Sequence, residues 1–145
     1  MGERVSGGVL ILRTDGASRG NPGPAAAGLV IELPDGEVIK VEKKYLGVMT
    51  NNQAEYRALI LGLSAVTLFQ PAEVRVYMDS ELVVRQMTGQ YRVKDDSLRT
   101  NYEEAKLLVR QLPLVTFQHV RRNQNARADA LANKALDDEA ARSGS

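Results

Sequence analysis

The chain of 145 residues contains no cysteine, no tryptophan and a single histidine, His119. Without cysteine there is no disulfide framework, no thiolate metal site and no cysteine nucleophile. One histidine excludes His-rich zinc motifs such as HExxH. Long hydrophobic runs are missing as well. The longest nearly apolar stretch, residues 59–69, has 11 residues and is interrupted by Gly, Ser and Thr, whereas a membrane span needs about 20. The opening MGERVSGG mixes acid and base with no apolar segment, so no signal peptide is expected. Neither sign of charge dominates: Lys+Arg 19 against Asp+Glu 18 leaves +1, which alone predicts neither a strongly basic nucleic-acid binder nor an acidic solvating chain. At 43% hydrophobic and 26% charged, the composition is that of an ordinary globular domain. One domain over residues 1–145 is expected, with residues 1–8 and 138–145 flexible. It is expected to be a cytoplasmic monomer with no membrane contact, whose chemistry rests on oxygen ligands, amides and Arg or Lys.

Short apolar segments come first and helical periods follow. The aliphatic run 9–12 (VLIL) suits a strand buried on both faces, ending at Thr14-Asp15. The turn-rich GASRGNPGP follows, then a second strand over 25–33 and a third over 37–46, separated by Pro34-Asp35-Gly36. Short turns between three strands imply an antiparallel meander. From 50 to 69 the apolar residues fall three and four apart, with Thr50, Asn51 or Asn52 as the cap and Pro71 as the stop. Val74, Val76 and Met78 alternate in a fourth strand. Helices over 80–87, 97–112 and 125–140 and a fifth strand over 114–120 complete the order β-β-β-α-β-α-α-β-α. The prediction is an α/β fold: a five-stranded mixed sheet with helices on both faces.

Four acids stand where acids are costly. Asp15 and Asp79 each end a strand, a common place for catalytic groups in such sheets. Glu55 lies above Leu59, Gly62 and Val66 on the apolar face of its helix, and Asp129 heads a stripe continued by Ala132 and Leu136. Each has an ordinary explanation: a turn for Asp15, helix-start roles for Glu55 and Asp79, and a surface pair with Arg127 or Lys134 for Asp129. Together they suit hard, oxygen-preferring cations, Mg²⁺ or Mn²⁺. Two such ions are the usual device for in-line displacement at phosphorus. His119 reads either as a structural residue at a strand end or as a proton carrier, and Arg121-Arg122 beside it as a phosphate contact or a solvated pair.

Several separated motifs then resemble one family, type 1 ribonuclease H. They are Thr14-Asp15-Gly16-Ala17 with Gly20-Asn21-Pro22-Gly23-Pro24, then Thr50-Asn51-Asn52-Gln53-Ala54-Glu55, then Tyr77-Met78-Asp79-Ser80. The last runs from His119 through Asn125 to Ala128-Asp129-Ala130-Leu131-Ala132. The resemblance covers roughly residues 9–136 and implies a ribonuclease H-like fold. It also implies hydrolysis of the RNA strand of RNA/DNA hybrids with two Mg²⁺ ions, Mn²⁺ being a substitute. It makes Asp15, Glu55, Asp79 and Asp129 the metal-binding carboxylates, with Asp15 bridging both ions. By the same resemblance His119 is expected to assist proton transfer or product release. Gly16, Asn21, Thr50, Asn51, Asn52, Gln53 and Ser80 are expected, again by resemblance, to contact the hybrid. Residues 87–97 (MTGQYRVKDDS) lack the Trp- and Lys-rich insertion with which some members grip substrate. Two other readings stay open: a recombinase or Holliday-junction nuclease on the same fold, and a catalytically dead hybrid-binding module.

Overall fold

A computed structural model describes residues 6–144 of the chain. The elements are β1 (Val9–Ser18), β2 (Gly23–Glu32), β3 (Val38–Met49), α1 (Asn51–Thr67), β4 (Glu73–Met78), α2 (Glu81–Met87), α3 (Asp96–Arg110), β5 (Val115–His119) and α4 (Ala126–Arg142), with one 3₁₀ turn over Arg122–Gln124. The sheet order is β3-β2-β1-β4-β5. The first three strands pair antiparallel, while β1, β4 and β5 run parallel. The expected order of elements, the mixed sheet and its two covered faces are all observed.

The two faces differ in what they bury. On one, Leu10 and Leu12 of β1 and Leu29 and Ile31 of β2 pack against Tyr56, Leu59 and Leu63 of α1. Strand side chains alternate, so Ala26 of β2 turns to the other face and packs with Ala135 and Leu136 of α4. Thr50 caps α1 through a reciprocal box: its Oγ1 accepts from the Gln53 N–H at 3.2 Å, and the Gln53 Oε1 accepts from the Thr50 N–H at 2.8 Å. Ser80 caps α2, its Oγ accepting from the Val83 N–H at 3.3 Å.

Two expectations are corrected. β1 does not stop at Asp15; it continues to Ser18 because Gly16, Ala17 and Ser18 pair with Ala27, Ala26 and Ala25 of β2, so the tight turn is confined to residues 19–22. Residues 138–142 are not a loose end but the last turns of α4, where Asp138 pairs with Lys43 of β3 and Lys134. The flexibility expected of residues 1–5 and 145 lies outside the described residues. Among the described residues, no helix is long and apolar enough to cross a membrane.

Candidate active site

The parallel register between β1 and β4 ends at the pair Thr14–Met78. There β4 stops and the chain turns into α2, while β1 runs on beside β2 alone. The parting of the two strands opens a cleft of about 310 Å³ at the carboxyl ends of the parallel strands, where open α/β sheets bind their ligands. Asp15 is the first β1 residue beyond the pairing, and Asp79 the first beyond β4, so the register itself brings them face to face.

Two glycines let the helices approach. A Cβ on Gly16 would lie 2.1 Å from the Ala54 carbonyl oxygen, and its absence allows the Gly16 N–H to reach Glu55 Oε1 at 3.0 Å. A Cβ on Gly28, the β2 partner of Asp15, would lie 2.2 Å from the Ala128 carbonyl oxygen. The start of α4, with Asp129, therefore seats over Gly28, beside Asp15.

Asp15, Glu55 and Asp79 each offer an oxygen, and these atoms lie within 4.8 Å of one another. Asp15 is 3% exposed and Glu55 6%. Asp15 Oδ2 and Asp79 Oδ1 are buried with no hydrogen-bond partner. Burial, reinforced by Glu55, Asp79 and Asp129, pushes the Asp15 pKa well above the ordinary carboxylate range. Burial raises Glu55 too; the Gly16 N–H and the Arg122 guanidinium oppose that rise. Orphaned carboxylate oxygens converging in a buried site are costly unless a cation joins them. All-oxygen donors of this charge fit a hard divalent ion.

Asp129 stands outside this trio but close enough to Asp15 to raise its pKa. It does not pair with Arg127 or Lys134. Its Oδ1 lies 3.4 Å from Asn133 Nδ2 and 3.9 Å from Arg122 Nη2, and Lys134 turns to Asp138.

The other expected residues divide. His119 lines the cleft, and its Nε2 sits 3.3 Å from the Asp79 carbonyl oxygen. Gly16, Asn51 and Ser80 line it as well. Asn21, Thr50, Asn52 and Gln53 do not: Thr50 and Gln53 spend their side chains on the helix cap, and Asn21 Oδ1 accepts from the Asn51 N–H at 3.0 Å. Asn21 thus ties the β1–β2 turn to the helix start.

Asn125 was outside the expected site. It precedes α4 and reads as its cap, yet its side chain makes no cap hydrogen bond. It is 1% exposed, and its Nδ2 donates to the Thr14 carbonyl at 2.8 Å, one residue before Asp15. An asparagine four residues before the helix acid was the available signal, and it pointed to a local bond rather than to β1.

Known proteins are similar to this chain in sequence and fold. A family model described as reverse transcriptase-like matches residues 13–135. The chain is 46% identical over 124 residues to ribonuclease HI of Halobacterium salinarum, covering 86% of this chain and 62% of that one. A crystal structure of RNase H1 from that archaeon matches with a TM-score of 0.88 at 44% identity, over 90% of this chain and 99% of the other. This chain belongs to the type 1 ribonuclease H family. Another RNase H1 of the family, LC11-RNase H1, solved in complex with an RNA/DNA hybrid, matches with a TM-score of 0.87 at 42% identity, over 90% and 98% of the two chains. A bifunctional protein of Mycobacterium tuberculosis is 43% identical over 129 residues, 88% of this chain and 35% of its own length. The chain thus spans between about a third and three fifths of these two curated relatives. Within the ribonuclease H family it is a form whose α2–α3 connection is short, with the Arg85 guanidinium 5.4 Å from the centre of the Tyr91 ring.

Proposed function

We propose that this domain hydrolyses the RNA strand of RNA/DNA hybrids endonucleolytically, leaving 5′-phosphate and 3′-hydroxyl ends. The observation that carries the reading is the pair of buried, unpartnered oxygens, Asp15 Oδ2 and Asp79 Oδ1, in the cleft of a ribonuclease H fold. Asp15, Glu55, Asp79 and Asp129 would hold two divalent cations, Mg²⁺ or in its place Mn²⁺, and such ions would supply activation of a water and stabilisation of the charge gathering on phosphorus and the leaving 3′ oxygen. Water oxygen bonds to phosphorus as the P–O3′ bond breaks, and the departing oxygen takes up a proton. Glu55, held by the Gly16 N–H, orients the site and lies beside the RNA 2′-hydroxyl, the group that distinguishes RNA from DNA. His119, at the rim against the Asp79 carbonyl, moves a proton or speeds product departure. Asn51 and Ser80 contact the hybrid directly. Asn21, Thr50, Asn52 and Gln53 form the helix-start edge along which it lies. The enzyme acts as a cytoplasmic monomer on RNA primers and R-loops.

A labelled hybrid incubated with Mg²⁺ or Mn²⁺ tests this reading, with double-stranded RNA, duplex DNA and four-way junctions as competitors. Cleavage of the RNA strand that stops in EDTA and in Asp79→Asn is the expected result. Faster cutting of junctions or duplex DNA would instead identify a DNA-processing enzyme, and tight hybrid binding without turnover a binding module.

A further inference from the structure

Arg122 differs from the arginines that are tied into close ion pairs. Arg13, Arg19, Arg57, Arg75 and Arg85 each reach a carboxylate at 2.7–3.1 Å. Arg122 makes no such bond: its Nη2 approaches Asp129 Oδ1 only to 3.9 Å, and its side chain is 78% exposed. It nevertheless lines the cleft, and its charge is felt by the buried Glu55. Its five N–H donors are free to meet an incoming anion.

The backbone beneath it is held firmly. Arg13 Nη1 donates to the Gln124 carbonyl at 3.0 Å, and Asn125 Nδ2 to the Thr14 carbonyl at 2.8 Å. The 3₁₀ turn closes on itself through the Asn125 N–H to the Arg122 carbonyl at 2.9 Å. The C-terminal end of the turn is thereby pinned to β1, next to Asp15. An exposed guanidinium on a turn tied to β1, at the mouth of a cleft lined by Asp15, Glu55 and Asp79 with Asp129 beside it, has two partners available to it in succession.

We propose that Arg122 is a substrate-binding residue that exchanges partners. In the bare site it is the counter-ion to Asp129 and Glu55. Once divalent cations neutralise those carboxylates, the guanidinium swings to the non-bridging oxygens of a phosphodiester in the bound strand. Its planar fork matches phosphate geometry, which an ammonium does not. The proposal rests on the hybrid-hydrolase reading above, and it requires opposite effects on the two ligands. Removing Arg122 removes a cation that competes with metal, so metal binding tightens. It also removes a phosphate contact, so substrate binding weakens.

Three variants separate these effects: Arg122→Ala, Arg122→Gln and Arg122→Lys. Mg²⁺ titrated calorimetrically into the nucleic-acid-free domain should bind several-fold more tightly to Ala and Gln than to the wild type, and Lys should resemble the wild type. With hybrid, KM should rise several-fold in Ala and Gln while kcat changes less. The slope of log KM against log salt should fall by about 1. Lys should restore the salt slope but not the whole of KM, because it keeps the charge and loses the fork. Unchanged Mg²⁺ affinity or an unchanged salt slope in Ala and Gln overturns the proposal, as does a KM increase that merely tracks a lower melting temperature. If the wild type cuts no hybrid, the functional reading fails separately, and the Mg²⁺ titration still decides the counter-ion role.

Discussion

Asp15 is 3% exposed, faces Glu55, Asp79 and Asp129, and keeps Oδ2 without a hydrogen-bond partner. Its folded-state pKa and that of Glu55 are raised, chiefly by burial, whereas in the unfolded chain both titrate near 4. The stability they contribute is therefore fully present below about pH 4 and is lost as pH rises through the folded-state values. Thermal melts in EDTA should show the midpoint falling from mildly acid through neutral to alkaline pH. Asp15→Asn removes the charge and keeps the shape. At pH 8 in EDTA it should melt higher than the wild type by an amount equivalent to roughly 0.5–2 kcal/mol, the usual gain when a functional strain is relieved, and should have no hydrolytic activity. Near pH 4 the difference should vanish, because the wild-type carboxyl is then protonated. A variant that melts lower at pH 8 would show that Asp15 supports the fold rather than opposing it.

At the scale of elements, what matters is how closely α1 and α4 approach β1. Gly16 and Gly28 set that distance, each standing where a Cβ would meet helix backbone at 2.1–2.2 Å. Backbone does not yield as a flexible side chain does, so Gly28→Ala must push α4 outward. A stability loss of about 1–3 kcal/mol is expected from such overpacking. Because Asp129 rides on the first turn of α4, Mg²⁺ affinity measured by calorimetry should fall as well, even at temperatures where the variant is fully folded. Retained Mg²⁺ affinity would place Asp129 outside the metal site. The elements themselves were legible because their periods are local: Val74, Val76 and Met78 alternate, and Ala54, Ala58 and Leu61 recur at helical spacing. The end of β1 was not legible, since Gly16, Ala17 and Ser18 read as turn formers and become strand only by pairing with β2. The part Gln53 plays in the cap of α1 follows instead from its local spacing to Thr50.

Across the whole molecule, a formal charge of +1 conceals a division. Asp137 and Asp138 on α4 pair with Arg19 and Lys43, so the far end of that helix is neutralised against the β1–β2 turn and β3. At the cleft, by contrast, the acids are gathered inside and Arg121 and Arg122 stand at the mouth. Loading the acids with divalent ions would turn that mouth positive toward a polyanion. Metal binding should also stabilise the fold by mass action, about 2.7 kcal/mol at a concentration 100 times Kd. The rise in melting temperature with Mg²⁺ should be larger at pH 8 than at pH 5, because protons compete for the same oxygens. A rise independent of pH would locate the ion elsewhere.

By itself the sequence determined the order and type of the elements and which four acids were out of place, because both depend on neighbours within one or two turns of chain. Only the tertiary structure decided that Asp15, Glu55 and Asp79 meet within 4.8 Å while Asp129 adjoins them from the side. That meeting depends on the β1–β4 register, on the point where the two strands part, and on two glycines that let helix backbone touch the sheet. Each of these is a relation between segments tens of residues apart, which no local period encodes.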